Sequence, residues 1–273
     1  MSLNFSVIAS GSSGNCSILW NEKTAILIDC GCNAKYLSKQ LENLNIDIKN
    51  LYSIITHAHL DHISVSCINF LKKNQIPVYI TKNIFKDMLK KHEHKIKDCL
   101  YIEYNRSFAI DNIKIEAFDV YHKDANISKT CGFTFFSEVK KRSYKIGYIT
   151  DTGKICNNII KILANSNILV IESNYNKQML EFSFRPYENK QWILSDFGHL
   201  SNEDAANAIC EIQKCSTVKD SLKYVFLAHI SKHHNTYAHA RHTVNTILLN
   251  NNITGINLLV AKRNSKSPTI RIN

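Results

Sequence analysis

The chain has 273 residues, of which 44% are hydrophobic, and Lys plus Arg exceeds Asp plus Glu by 34 − 23 = 11. This length and apolar content predict one domain over residues 1–273, and no apolar stretch approaches the roughly 18 residues of a membrane span, which argues against a membrane protein. The nine cysteines contain no Cys-x-x-Cys pair and no basic segment precedes an apolar core near residue 1, so we expect free thiols, no signal peptide and a cytoplasmic location.

Along the chain, strands dominate the first half, and strands and helices alternate afterwards. Strands are predicted at residues 4–9, 17–20, 25–29, 53–56, 78–80, 113–120, 132–136, 145–150, 168–171, 224–228 and 255–259. Helices are predicted at residues 34–43, 65–73, 83–90, 158–164, 201–213 and 238–249. This order indicates an α/β fold in which layers of sheet and helix pack together.

Several predicted strands run directly into a residue that can do chemistry. These residues are Asp29, His57, Asp151 and His229. The carboxyl ends of strands, with loops above them, are a usual place for an active site in layered α/β folds. The pattern therefore indicates one site built from separate segments of the chain.

The run Thr56-His57-Ala58-His59-Leu60-Asp61-His62 is the strongest single motif. Imidazole and carboxylate groups together suit Zn, Mn or Fe ions and need no soft thiolate. A strand that bends into a loop can aim His57 and His59 at one point, and Asp61 and His62 at a second point nearby. Two ions about 3.5–4 Å apart can activate a water and clamp the attacking and leaving oxygens of a substrate.

This His-x-His-x-Asp-His run, after a strand that ends in Asp29, resembles the metallo-β-lactamase superfamily. The resemblance covers residues 5–235 and implies an αββα sandwich, with Asp29 bracing the site. It also implies two divalent metal ions that share one bridging carboxylate. The implied ligands are His57, His59, His122 and Asp151 for the first metal, and Asp61, His62, Asp151 and His229 for the second. Asp61 would also take a proton from the nucleophile.

A narrower resemblance rests on four further segments and on the stretch after His229. The segments are Ala9-Ser10-Gly11-Ser12-Ser13-Gly14-Asn15-Cys16, Asp29-Cys30-Gly31, Glu172-Ser173-Asn174-Tyr175 and Gly198-His199-Leu200-Ser201-Asn202-Glu203. Together they are similar to the WalJ (YycJ) proteins of bacteria. The resemblance implies a metal-dependent 5′-to-3′ exonuclease on double-stranded DNA, with family links to a cell-wall-regulating two-component system.

His199 is a candidate catalytic residue outside the ligand set. It precedes a predicted helix whose N-cap is Ser201, with Asp204 three residues later as a variant of the capping box. The free N–H groups and the positive end of a helix dipole can hold a phosphate, so we expect His199 and this helix start to grip one. A plain capped helix with a packed histidine remains open. The loop at residues 9–15 is either a tight turn or a wall of the site.

Other histidines and cysteines have simpler interpretations. His92 and His94 follow no strand and are expected on a solvated surface, as are His239 and His242, which share one helix face or lie partly in the core. His233 or His234 is left open as a substrate contact at the rim of the site. Cys30 and Cys32 are expected to be buried structural thiols.

The function favoured by these residues is a two-metal phosphodiesterase acting on nucleic acid. The excess of positive charge supports a polyanionic partner, DNA first, although the lysines are dispersed. The same metals would serve a small-molecule hydrolase for thioesters, lactones or cyclic phosphodiesters. A metal-binding accessory protein in cell-wall signalling is the third alternative, and the complete ligand set argues against it.

Overall fold

The computed structural model describes residues 2–91, 99–123 and 129–273, so the candidates His92 and His94 lie outside the described residues. The first of two seven-stranded sheets has the order β14-β1-β2-β3-β4-β5-β6. Its strands are β1 (Leu3–Ala9), β2 (Cys16–Trp20), β3 (Ala25–Ile28), β4 (Leu51–Ile54), β5 (Val78–Thr81), β6 (Cys99–Ile102) and β14 (Ile270–Ile272). Strands β3 to β6 run parallel, and the remaining pairs are antiparallel.

The second sheet repeats this layout with the order β13-β12-β11-β10-β9-β8-β7. Its strands are β7 (Ser107–Ile110), β8 (Ile113–Val120), β9 (Thr130–Val139), β10 (Arg142–Ile149), β11 (Ile168–Glu172), β12 (Tyr224–Ala228) and β13 (Asn257–Val260). Strands β10 to β13 are parallel and β7 to β10 antiparallel. Parallel strands in both sheets therefore bring their carboxyl ends to a common rim.

Helices cover the outer face of each sheet. They are α1 (Ala34–Asn43), α2 (Val65–Lys73), α3 (Lys82–Lys91), α4 (Asn157–Leu163), α5 (Lys177–Glu181), α6 (Tyr187–Leu194), α7 (Asn202–Cys215) and α8 (Tyr237–Asn250), with a 3-10 turn at Ile48–Asn50. Buried side chains of α1, α2 and α3 pack against the first sheet, and those of α4, α7 and α8 against the second. The main core lies between the sheets and contains Phe5, Phe133 and Phe226. The αββα expectation is therefore confirmed.

Most predicted elements are found, and those not predicted are edge strands or short helices. The predicted spans of α1, α2, β8 and β12 agree with the structure. The sequence did not predict β6, β7, β14, α5 and α6. Strands β6 and β7 lie at sheet edges with only one fully buried residue each, so they lack the alternation that marks a half-buried strand. Helix α5 has only five residues, too few to show a helical period.

The strand ends that carry candidate residues have an unusual backbone. Asp29, Asp151 and His229 have φ angles of 62°, 54° and 54°, in the left-handed region. This conformation costs of the order of 1–3 kcal/mol per non-glycine residue and persists where the surroundings impose it. Strand β3 accordingly ends at Ile28, one residue before its predicted end, because the chain turns sharply at Asp29.

All nine cysteines are free thiols, and both Cys30 and Cys32 are buried, as expected. Cys67, on α2, lies beside them and contacts the carbonyl oxygen of Cys32 through its Sγ at 3.1 Å. Among the helices of the described residues, none combines the length and the apolar character that crossing a membrane requires.

Candidate metal centre

Three imidazole rings from two separate segments of the chain converge at the rim where the two sheets meet. His57 and His59 follow β4 and His122 follows β8, and their donor nitrogens lie within 4.8 Å of one another and of an oxygen of Asp151. Nε2 of His57 is 2.9 Å from Nδ1 of His59. These four residues are the set that the family resemblance implied for a first metal.

The hydrogen bonds of this group leave nitrogen lone pairs facing inward. Nδ1 of His122 is 3.0 Å from the carbonyl oxygen of Gly198, which can only accept, so Nδ1 carries the proton. Nε2 of His122 is then the deprotonated atom, and it is buried with no hydrogen-bond partner among the described residues. Thr56 Oγ1 fixes His57 in the same way, because its hydroxyl donates to Asp29 and it accepts from Nδ1 of His57 at 3.0 Å.

A second group of possible metal-ligand atoms lies beside the first. Nε2 of His229 is 3.4 Å from Oδ2 of Asp61 and 3.5 Å from Oδ1 of Asp151. Nε2 of His62 is 3.7 Å from Oδ2 of Asp61 and 3.1 Å from Oδ2 of Asp151. Donors around a tetrahedral ion with bonds of about 2.1 Å lie about 3.4 Å apart, so this spacing fits a coordination shell. Asp151 faces both groups.

Asp29 supports this second group through hydrogen bonds, as the family resemblance implied. Its buried carboxylate accepts from Nδ1 of His62 at 2.7 Å and from both the N–H and the hydroxyl of Thr56. A carboxylate behind a metal-binding imidazole fixes the tautomer that directs the other nitrogen toward the metal. Asp29 therefore acts on the site through His62 and Thr56.

Glu172 supports imidazole rings in the same way from the second sheet, a role that the sequence did not predict. Its Oε1 accepts from Nδ1 of His199 and from Nδ1 of His229, each at 2.7 Å, and its Oε2 accepts from the N–H of Thr152 at 2.9 Å. Glu172 is the last residue of the buried strand β11. The same search for polar residues at strand ends that selected Asp29, Asp151 and His229 would also have selected Glu172.

The loop at residues 9–15 contains a tight turn, closed by a hydrogen bond from the N–H of Gly14 to the carbonyl of Gly11, and it also forms a wall of the site. Nδ2 of Asn15 lies 2.9 Å from Nε2 of His62 and 3.2 Å from Oδ2 of Asp61. Ser10 Oγ accepts from the N–H of His229 at 2.7 Å. The loop therefore ties the first sheet to the end of β12.

His199 lies at the cleft, but the start of α7 does not serve it as predicted. The ring of His199 is 5.3 Å from the rings of both His122 and His229, with Nδ1 turned to Glu172. The N–H of Asn202 donates to Tyr175, and that of Asp204 donates to the capping Ser201. Glu203 and Asp204 also place acidic groups in the first turn of α7. Two N–H donors at this helix start are therefore used within the protein and its first turn is acidic, which argues against a phosphate there.

The electrostatics of the cluster fit divalent cations. Burial lowers the pKa of His57 well below its usual value and that of His122 to about 4, so both rings stay neutral and able to coordinate. Burial works against the charged form of His62, yet Asp151, Asp29 and Asp61 raise its pKa well above its usual value. The buried carboxylates thus require positive charge among them, and metal ions would supply it.

Gly31 lets two segments of the site approach each other. A Cβ at this position would lie 1.6 Å from the carbonyl oxygen of Asp61, and the Gly31 N–H donates to the carbonyl of Asn15.

We expect Gly31→Ala to push the loop with Asp61 outward and to destabilise the fold by at least roughly 3 kcal/mol, the upper end for overpacking. Thermal unfolding and metal content measure this. Ser13→Ala, at an exposed position of the same region, is the matched control. A Gly31→Ala protein with wild-type melting and metal content contradicts the prediction.

Two helix-covered sheets with a cluster of histidines and carboxylates at their common rim define a hydrolase of the metallo-β-lactamase fold. Comparison with known proteins agrees. Residues 24–225 match the family model described as the beta-lactamase superfamily domain. The crystal structure of the metallo-beta-lactamase fold protein YhfI from Bacillus subtilis superposes with a TM-score of 0.70 at 15% identity and covers 99% of each chain.

Two relatives narrow the assignment. Exodeoxyribonuclease YycJ of Bacillus anthracis is 30% identical over 255 residues, which span 91% of this chain and 90% of the relative. Exodeoxyribonuclease WalJ of Streptococcus pneumoniae (strain D39) is 31% identical over 237 residues, or 85% of this chain and 82% of the relative. The chain belongs to the metallo-β-lactamase superfamily, and within it to the family of the YycJ and WalJ proteins.

Proposed function

We propose that this chain is a two-metal phosphodiesterase that degrades nucleic acid, and specifically a 5′-to-3′ exonuclease on double-stranded DNA. The observation that carries the proposal is the pair of adjoining donor groups that face Asp151. The names of the YycJ and WalJ relatives support DNA as the substrate. The excess of basic over acidic residues favours the same polyanion.

The first metal would be held by His57, His59, His122 and Asp151, and the second by Asp61, His62, Asp151 and His229. Zn, Mn and Fe all suit a set of imidazoles and carboxylates. Bound there, such ions supply an activated water and compensate negative charge on the attacked phosphoryl group.

The protein's own side chains provide the remaining steps. The side chain of Asp61 is 24% exposed, so its carboxylate is open to the cleft and can take the proton of the attacking water. Nδ1 of His199 is tied to Glu172, so Nε2 is the ring atom left to contact a phosphoryl or leaving group. Glu172 holds that ring in place through this hydrogen bond.

Purified protein with added Mn²⁺ or Zn²⁺ should shorten end-labelled duplex DNA from the 5′ end. Activity should fall as salt rises, because salt competes with the phosphate contacts of a basic surface. The assay compares single-stranded and duplex DNA and RNA, with each strand labelled separately to read the polarity. A chelator-treated sample is the negative control.

The same preparation should be tested on a lactone, a thioester and bis(p-nitrophenyl) phosphate. Efficient opening of a lactone or thioester by protein that ignores every nucleic acid would move the function to small-molecule hydrolysis. Turnover of bis(p-nitrophenyl) phosphate reports separately on whether the metal site is assembled.

A further inference from the structure

An exposed aromatic groove has no part in the proposed chemistry. It lies between the α5–α6 connection and the loop after β12, with a volume of about 620 Å³. Its lining includes Met179, Phe182, Phe184, Arg185, His233 and His234. Phe184 is fully exposed and Phe182 is 80% exposed. Large apolar groups exposed side by side mark an interaction surface more often than a plain solvated one.

The chemistry of the groove suits nucleobases joined by phosphates. Rings offer flat apolar faces, and Arg185 offers a cation beside them, while no carboxylate lines the groove among the described residues. Nε of Arg185 donates to Nε2 of His234 at 3.0 Å, which fixes the guanidinium at the groove wall. Aromatic rings alternating with positive charge are the pattern by which proteins hold single strands without reading their sequence.

Two short stretches of the chain lead from the groove to the metal centre. His234 lies in the loop that starts with His229, and its carbonyl accepts from the N–H of Asn176 just before α5. The groove residue Pro186 precedes α6, and Trp192 on that helix lies 5.7 Å from the ring of His122 and 5.4 Å from that of His199. A strand with its phosphate at the metal centre would therefore place neighbouring bases along this groove.

We propose that the segment from Phe182 to Tyr187 is a base-stacking subsite for the strand being hydrolysed, in which Phe182 and Phe184 stack on unpaired bases and Arg185 pairs with a phosphate. This inference rests on the proposed nuclease function. It adds that the end of the substrate strand is held unpaired, so binding does not depend on base sequence.

The test is the affinity for a labelled phosphorothioate oligonucleotide, which resists cleavage, measured by fluorescence anisotropy on the metal-loaded protein. Removing one stacking ring typically weakens single-strand binding about tenfold. We expect this loss of affinity for Phe184→Leu and a larger loss when Phe182→Leu is combined with it. Phe184→Trp, which keeps an aromatic ring, should bind like the wild type. Turnover of bis(p-nitrophenyl) phosphate should stay at the wild-type level. Tyr101→Ala removes a 51%-exposed ring from β6 of the other sheet and is the matched control.

Wild-type affinity in the double variant overturns the subsite while leaving the nuclease function intact. Unchanged DNA affinity together with a change from dimer to monomer in light scattering would reassign the groove to self-association and also overturns it. If the wild type binds and cuts no nucleic acid yet hydrolyses bis(p-nitrophenyl) phosphate, the proposed function itself fails and the subsite fails with it.

Discussion

Asp151→Ala should release metal from both donor groups, whereas Asp61→Ala and His229→Ala should affect only the second. Asp151 faces both groups, with Oδ1 at 4.0 Å from Nε2 of His57 and 3.5 Å from Nε2 of His229. Loss of a residue behind a ligand already costs about 10–100-fold in metal affinity, so loss of a shared ligand should exceed that range. Activity should disappear with the metal. Elemental analysis after mild dialysis measures the effect, with an expected wild-type content above one ion per chain.

Circular dichroism must show that all three variants are folded before their metal contents are compared. Equal metal loss in the three would contradict the division of ligands into two sets. A wild-type content that stays at or below one ion, even after metal is added back, would contradict the second site altogether.

His199→Ala should lower nucleic-acid cleavage by about 10²–10⁴-fold, the usual contribution of a positioned acid or base. Metal content should remain near the wild-type level, because Nδ1 of His199 binds Glu172 and the ring is not assigned as a ligand. Single-turnover cleavage of labelled duplex DNA measures the change. His239→Ala, at an exposed position on α8, is the control for loss of a histidine. Unchanged cleavage would remove His199 from the catalytic site.

Glu172→Gln separates positioning from direct catalysis. Glutamine keeps the size of Glu172 but weakens the support of His199 and His229 together, since one oxygen of Glu172 accepts from both rings. Cleavage should therefore fall, and metal content should fall with it, unlike in His199→Ala. Wild-type metal content in Glu172→Gln would show that His229 does not depend on this carboxylate.

The sequence predicted those parts of the site that a short stretch of chain determines. The run from His57 to His62 carries four candidate ligands in one loop, and Asp29 ends a buried strand in a recognisable way. The structure brings these residues together with His122, Asp151 and His229, although their roles as ligands remain predictions. Asp29, His57, Asp151 and His229 could be found from local patterns because each follows an apolar strand, whereas His122 was indicated only by the resemblance to the metallo-β-lactamase superfamily.

Contacts between distant segments could not be predicted in this way. Asn15 meets His62 only because the first hairpin folds over the histidine loop, and Trp192 reaches His122 only through a helix with no strong apolar pattern. The start of α7 is a second example of such a contact. Its capping motif was correct, but nothing local indicated that Tyr175 would take one of its free N–H groups.

The position of the donor groups at the seam between the sheets has a thermodynamic consequence. His57 to His62 extend from the first sheet, whereas His122, Asp151 and His229 extend from the second. Any ion bound by residues of both sheets is a crosslink between the halves of the sandwich, and its binding free energy adds to the free energy of unfolding. At a free metal concentration 100 times the dissociation constant, one such ion adds about 2.7 kcal/mol. The concentration of available metal would then set the stability of the fold as well as the activity of the enzyme.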